Sequence, residues 1–326
     1  MNSSIIKNIE FDKSDIQYIR AKERGWDYCF EGIKEMGYNI IIPYRDKNLI
    51  MRLLREAWFR CRLPKQSIWY NPKVKKIKAS TIIVKDPLVT LDFMEYLRKK
   101  HPSKRIILEY DNRVENSKKT GLDPTLLKNG TADLYSYDPE DCKKYSMKKK
   151  HDFYLDIYRT DKKSYSRNKV CKYDVLYLGR DKGRGEKILK YEKIFNKLGL
   201  KTYFRICADR SMFSKKKAYY KSNIKYTEYL KLQEKSRAIL NIMPEGQYSI
   251  TPRDMEAAFN NIKEITNNKG VKKLEFFSPD RYFILQENDI NNLKDFLYKP
   301  LNPISEDVLQ KYTFDRMVEE MIKENI

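Results

Sequence analysis

Residues 173–206 read YDVLYLGRDKGRGEKILKYEKIFNKLGLKTYFRI. Tyr173 to Leu178 has strand composition, and a glycine-bearing turn follows at once. Glu186 to Leu198 repeats its apolar residues at helical spacing, and Lys201 to Ile206 returns to a strand-forming run. Strand, loop, helix, strand in that order is a βαβ unit. The pattern continues with a helix near Thr227 to Ser236, the strand Ala238 to Ile242, a loop, a helix at Pro252 to Asn260 and the strand Glu264 to Thr266. An amphipathic helix from about Asp307 to Lys323 closes the chain.

The first half has the same alternation. A helix is expected from Gly25 to Met36, then the strand Ile40 to Ile42, which Pro43 ends. Thr81 to Val84, Arg105 to Tyr110 and Ala132 to Tyr137 read as strands, with a helix near Val89 to Lys100 and a helix start at Asp138-Pro139-Glu140-Asp141. Such alternation specifies an α/β class with largely parallel sheets. Residues 159–169 contain almost nothing to bury, so they are the expected linker between two α/β units. Two units leave a cleft, and open α/β sheets hold ligands beyond the carboxyl ends of their strands.

The bulk composition agrees. A length of 326 residues suits two domains, and 41% hydrophobic residues exclude disorder as the default reading. No apolar run approaches the roughly 20 residues that cross a bilayer, and no signal peptide is visible, so a cytoplasmic protein is expected. The 5 cysteines are scattered without a CxxC pair and there are 2 histidines, which argues against disulfides and structural zinc. The net charge of +22 points to an anionic partner: nucleic acid, a membrane surface or a phosphorylated substrate. Both halves are basic. The excess is densest in residues 45–78, where 11 Lys and Arg face only Asp46 and Glu56.

Two loops have the chemistry of phosphate sites. Gly179-Arg180-Asp181-Lys182-Gly183-Arg184 follows a strand directly; glycines allow close backbone approach and the cations supply charge. It is neither a Walker A loop nor GxGxxG, and a turn with solvated charges stays open as its reading. The second loop, MPEGQYSITPRDMEA over residues 243–257, lies between a strand and a helix. Thr251 fits the N-cap, Pro252 the first helical position and Asp254 the acid of a capping box. Gly246, Gln247 and Ser249 precede that cap, where amides can face a diphosphate. Glu256 lies one turn into the helix, placed to take ribose hydroxyls, or simply to be a solvated helix charge.

The run KSRAILNI…GQYSITPRDMEAAFNNIKEITNN resembles the nucleotide-binding segment of bacterial lipopolysaccharide and capsular polysaccharide glycosyltransferases. YDVLYLGRDKGR and SYDPEDCKKYSMKKKHDFY resemble the same group, so the likeness touches both halves. It implies a GT-B fold: two Rossmann-like domains facing a cleft, the C-terminal helix packing back on the N-terminal domain. The expected boundaries are 1–160, with helix 307–326, for the acceptor domain and 170–306 for the nucleotide-sugar domain. The resemblance implies that Gly179, Lys182 and Arg184, with Arg180 and Gly183 in the same loop, lie near the diphosphate. It makes Arg253 a phosphate-facing arginine, Glu256 the ribose-binding glutamate and Tyr226 a neighbour of the base. The E-x7-E signature of retaining enzymes is broken, because the position eight residues before Glu256 is Tyr248.

An inverting transfer needs a base for the acceptor hydroxyl and positive charge for the departing diphosphate. Arg180, Lys182, Arg184 and Arg253 can do the second job, so neither a metal nor a cofactor beyond the nucleotide-sugar substrate is expected. Asp86 and Asp111, each after a strand of the first half, are the candidate bases; a turn or N-cap carboxylate is the competing reading. Residues 47–63 form an amphipathic helix pattern, read either as core-facing with a solvated basic side or as a contact for anionic lipid. In the second reading Arg52, Arg55, Lys75 and Lys76 meet headgroups or a polyprenyl-diphosphate-linked acceptor at the inner face of the cytoplasmic membrane. Two other functions stay open: a basic nucleic-acid-binding protein, although no zinc finger, RNP or KH pattern supports a nucleic-acid partner, and an inactive GT-B partner subunit.

Overall fold

The computed structural model describes residues 11–21, 27–45, 48–86, 89–117, 121–160, 171–209, 217–243 and 249–323. The chain divides into two compact units, residues 1–151 with 318–326 and residues 152–317.

The first unit contains β1 (Ile16–Ile19), α1 (Asp27–Glu35), β2 (Asn39–Ile41), α2 (Leu49–Arg60), β3 (Thr81–Lys85), α3 (Leu91–Lys100), β4 (Arg105–Tyr110), α4 (Val114–Ser117), β5 (Asp133–Ser136), α5 (Pro139–Tyr145) and β6 (Lys148–Lys149). Its strands form one parallel sheet in the order β2-β1-β3-β4-β5-β6. A parallel sheet is covered on both faces, so its central strands must be apolar throughout; Ile82, Ile83 and Val84 are all fully buried. One face packs Ile82, Val84, Leu108 and Tyr110 against Phe93, Met94 and Leu97 of α3. Side-chain caps start the helices: Thr90 Oγ1 accepts from the Phe93 amide at 3.2 Å, and Asp138 accepts from those of Glu140 and Asp141 at 3.0 and 3.2 Å.

The second unit contains β7 (Tyr173–Arg180), α6 (Gly185–Lys197), β8 (Thr202–Cys207), α7 (Tyr226–Glu234), β9 (Ser236–Asn241), α8 (Pro252–Phe259), β10 (Lys263–Thr266), β11 (Tyr282–Ile284), α9 (Leu293–Tyr298), α10 (Glu306–Gln310) and the start of α11 (Phe314–Lys323). Its sheet is also parallel, in the order β11-β10-β9-β7-β8. The strand order reverses between β7 and β9. In the first unit the reversal falls between β1 and β3. Such switch points are where open α/β sheets take ligands.

Several expectations need correction. β1 and β11 were not anticipated, though β1 is the pivot of its sheet. The single terminal helix is two, α10 and α11. Tyr154 takes its place between them: its amide donates to Tyr312 O at 2.8 Å and its carbonyl accepts from Phe314 N at 3.1 Å, and residues 311–313 lie outside either helix. Residues 152–160 belong to the second unit rather than the first, with Thr160 N donating to Asn260 Oδ1 at 3.1 Å. Of the expected linker, 161–169 lie outside the described residues. The return of the terminal helix to the first unit begins at Val318, not at residue 307. There Arg105 donates to the carbonyls of Ile322 and Met321 at 2.6 and 2.8 Å, a cation satisfying a helix C-terminus. Finally, α2 is not core-facing. Leu49, Ile50, Leu53 and Leu54 are exposed, and its buried residue is Arg55.

Candidate functional site

The switch point of the second unit gathers most of the described donor-site candidates. β7 ends at Gly179-Arg180, and Lys182 and Gly183 turn the chain through left-handed backbone, with φ of 46° and 77°. The Lys182 amide donates to Asp209 at 3.0 Å. Asp181 anchors the turn from below. It is almost fully buried, and its carboxylate accepts from the Gly185 amide at 2.7 Å, Tyr220 at 2.7 Å, Tyr219 at 2.9 Å and Lys217 at 3.2 Å. Burial opposes its charge, yet these hydrogen bonds prevail and hold the carboxyl at about 2. The sequence reading did not select Asp181; a lone Asp inside a basic loop carries no signal of its burial.

Gly179 is required by its neighbour. A Cβ there would lie 2.9 Å from Tyr177 Oη and 3.6 Å from Arg253 Nη2. Arg253 reaches across the switch point. Its guanidinium donates to Leu178 O at 2.5 Å and Leu240 O at 3.3 Å, joining the ends of β7 and β9, and lies 5.5 Å from the Tyr177 ring. Arg184 precedes α6 and donates to Ile242 O, just past the end of β9. The pKa of Lys182 is lowered by desolvation and then by Arg184, Arg180 and Arg253, so four cations stand within mutual influence. Arg184 Nε and Arg253 Nε are buried donors without a hydrogen-bond partner, and Ser249 Oγ is a buried hydroxyl in the same condition. Each such group costs about 1–3 kcal/mol unless something accepts from it. Four cations gathered at a strand-end turn are the chemistry that a polyanion complements.

The helix start after β9 is built as its sequence indicated. Asp254 accepts from the Thr251 amide at 2.7 Å and its hydroxyl at 2.5 Å. Asn241, the last residue of β9, donates to Thr251 Oγ1 at 3.2 Å and Glu264 Oε1 at 2.9 Å. Asp254 and Glu264 are both fully buried, and each carboxyl is raised by burial, Glu264 further by Asp254 beside it. Two such acids hold one proton between them. Gly246, Gln247 and Tyr248 lie outside the described residues.

Glu256 is buried, and its carboxylate accepts from Tyr226 at 3.0 Å, Tyr229 at 3.1 Å and Gln233 at 3.3 Å, all on α7. Burial raises its pKa. Tyr226 therefore sits on the carboxylate side of α8, its ring 5.3 Å from Tyr158. Tyr229 and Gln233 were missed because only the approach of α7 to α8 brings them there.

In the first unit, Asp86 is fully buried, with Oδ1 accepting from the Leu122 amide at 2.8 Å, while Asp111 is partly exposed. Asp111 pairs with Lys85 and with Lys150, the latter at 2.6 Å. Beside it Glu109, also fully buried, accepts from Tyr18 and from Lys150 at 3.2 Å. Arg20 and Lys85 lie at the carboxyl ends of β1 and β3, the switch point of this sheet. Burial, then Arg20 and Lys150, lowers Lys85 to about 7, although Glu109 opposes the shift. Sequence reasoning missed Tyr18, Arg20, Lys85, Glu109 and Lys150. Strand register assembles this ionic row, and no spacing in the chain announces it.

Of the membrane candidates, Arg52, Lys75 and Lys76 are exposed. Arg55 is not: its guanidinium lies 4.1 Å from the Tyr44 ring centre beneath α2.

No protein-family model and no curated protein matches the chain. Solved structures do. An alpha-glucosyltransferase in complex with UDP and a 13-mer DNA containing a central A:G mismatch aligns over 95% of this chain and 92% of its own, with a TM-score of 0.50 and 11% identity. The spinosyn forosaminyltransferase SpnP aligns over 94% and 92%, with a TM-score of 0.37 and 8% identity. At 11% identity the first of these likenesses shows the fold alone. Two parallel-sheet Rossmann-like units, with the terminal helix returning to the first, make this a GT-B fold.

Proposed function

We propose that the chain is a glycosyltransferase that takes its nucleotide-sugar at the β7–β9 switch point and transfers the sugar to an acceptor. The observation that carries this reading is the cluster of four cations, Arg180, Lys182, Arg184 and Arg253, at the switch point of a GT-B fold. Arg180, Lys182 and Arg184 are the groups to hold the donor diphosphate. Their charge stabilises it as the bond to the anomeric carbon breaks and the electron pair leaves with the phosphate oxygen. This is the metal-independent route. Arg253, spent partly on two backbone carbonyls, keeps the floor of the site in place.

In an inverting reaction the acceptor oxygen attacks the anomeric carbon as its proton passes to a carboxylate. Asp111 suits that role better than Asp86, which is fully buried and bound to a backbone amide. Asp111 is partly exposed and ion-paired with Lys85 and Lys150. A surface glycan on a polyprenyl-diphosphate carrier is the acceptor that the sequence resemblance supports, with the enzyme at the inner face of the cytoplasmic membrane.

A second reading keeps the donor site and exchanges the acceptor for nucleic acid. The net charge of +22 favours it, as does the solved alpha-glucosyltransferase of the same fold in complex with UDP and DNA. A thermal-shift screen of UDP, GDP, ADP and CMP tests the shared claim: one nucleotide should raise the melting temperature, and Arg184→Ala should abolish the rise. Absence of stabilisation by all four would remove both readings. Turnover of the stabilising nucleotide's sugar conjugates, with Glu256→Ala as control, separates an active enzyme from an inactive partner subunit.

A further inference from the structure

Helix α2 is fastened upside down for a water-soluble protein. Leu49 and Ile50 are each 68% exposed and Leu53 and Leu54 each 53%, with Leu63 and Ile68 exposed just beyond. At 100° per residue Leu49, Ile50, Leu53, Leu54 and Ala57 share one broad face. The opposite face holds the helix to the unit. Arg55 lies over Tyr44, and Phe59 meets Tyr44 and Tyr70 edge-on, with ring centres 5.4 and 6.5 Å apart. Trp58 packs on Trp69 at 6.2 Å and donates to Pro64 O at 3.0 Å. These contacts fix the rotation of the helix, so its leucines cannot turn inward without removing Arg55 from its aromatic seat.

Exposed cations border the apolar face: Arg52, Arg60, Arg62 and Lys65 nearby, then Lys73, Lys75, Lys76 and Lys78. The one acid of the helix, Glu56, is engaged by Arg52 at 2.8 Å. An apolar strip of this extent on a soluble surface marks an interaction site. We infer that α2 and the turn after it are an interfacial anchor, seating the leucine face in the headgroup–acyl boundary of an anionic bilayer while the flanking cations meet lipid phosphates. The inference stands on α2 alone and does not rest on the glycosyltransferase reading.

Charge decides among the occupants. A second copy of this +22 chain would press two strongly basic surfaces together around the leucine face. Nucleic acid would neutralise the cations and leave four large aliphatic side chains in water. An anionic lipid surface satisfies both features. Contact is peripheral on this view, since among the described residues no helix is long and apolar enough to cross a membrane.

The test uses the full chain with vesicles of phosphatidylcholine alone or mixed with phosphatidylglycerol. Co-sedimentation should be roughly tenfold or more stronger on the anionic vesicles and should fall with salt. The combined Leu49→Ser, Ile50→Ser, Leu53→Ser and Leu54→Ser variant should lose that binding with only a small drop in melting temperature, because those side chains are more than half exposed and serine costs little beyond helix propensity. Leu53→Trp fluorescence should shift to the blue on anionic vesicles. Undiminished vesicle binding by the serine variant overturns the inference. So does an absence of vesicle binding, whether accompanied by duplex DNA binding or by a dimer that the serine substitutions dissolve.

Discussion

Glu256 takes three hydrogen bonds from α7 while buried, so its removal acts on stability as well as on any ligand. Glu256→Ala leaves Tyr226, Tyr229 and Gln233 without their acceptor, and a loss of about 1–3 kcal/mol in urea unfolding is expected. Tyr226→Phe removes one donor and should cost less. Equal losses for the two variants would mean that the network is not closed on Glu256. Nearby, Asp254 and Glu264 give stability a pH dependence of definite sign. Both pKa values are raised, so the native state keeps a proton that the unfolded chain has released. Stability is then full below the ordinary carboxylate range and declines as pH rises from there toward the raised native value. Glu264→Gln, which still donates to Asp254 but does not titrate, should flatten the profile relative to wild type. Parallel profiles would refute the shared proton.

Elements add what single residues do not. α11 closes the first unit by giving its last carbonyls to Arg105 and Tyr135 while burying Val318 and Met321. Met321→Ala should therefore cost about 2–5 kcal/mol in chemical denaturation, a core value for a residue close to the chain end. A surface value below about 0.5 kcal/mol would show that the helix does not dock there. The break before α11 has the same lesson. Residues 307–323 have a helical pattern throughout, and Tyr154, distant in sequence, overrides it by hydrogen-bonding to both sides of Thr313. In α2 the pattern was recognised and its direction was not. Alternation tells which residues share a face, but which face turns inward depends on what the rest of the fold presents, here the rings of Tyr44 and Tyr70.

Within the overall charge of +22 two concentrations stand out, a focused cluster at the β7–β9 switch point and a spread of exposed cations in residues 52–78. They should respond differently to salt. Nucleotide stabilisation, drawing on partly buried cations, is expected to persist at 0.5 M salt where vesicle binding by exposed cations is screened, the Debye length being only several ångströms. Loss of both in parallel would argue that the switch-point cations are exposed and unspecific.

The alternation of strands and helices, the capping box at Thr251–Asp254 and the glycine-bearing turn after β7 were legible because each is a local matter: backbone propensity, a cap four residues long, a φ that a side chain resists. The class of fold follows from them. β1 was illegible, since four residues reading Ile-Gln-Tyr-Ile carry too little pattern to mark the strand on which the first sheet pivots. The ionic row of Arg20, Lys85 and Glu109, the reversed seating of α2 and the embrace of Glu256 by α7 arise from contacts between residues roughly 10 to 90 positions apart. Strand register and helix rotation create those contacts through the packing of the whole unit, so tertiary structure alone decided them.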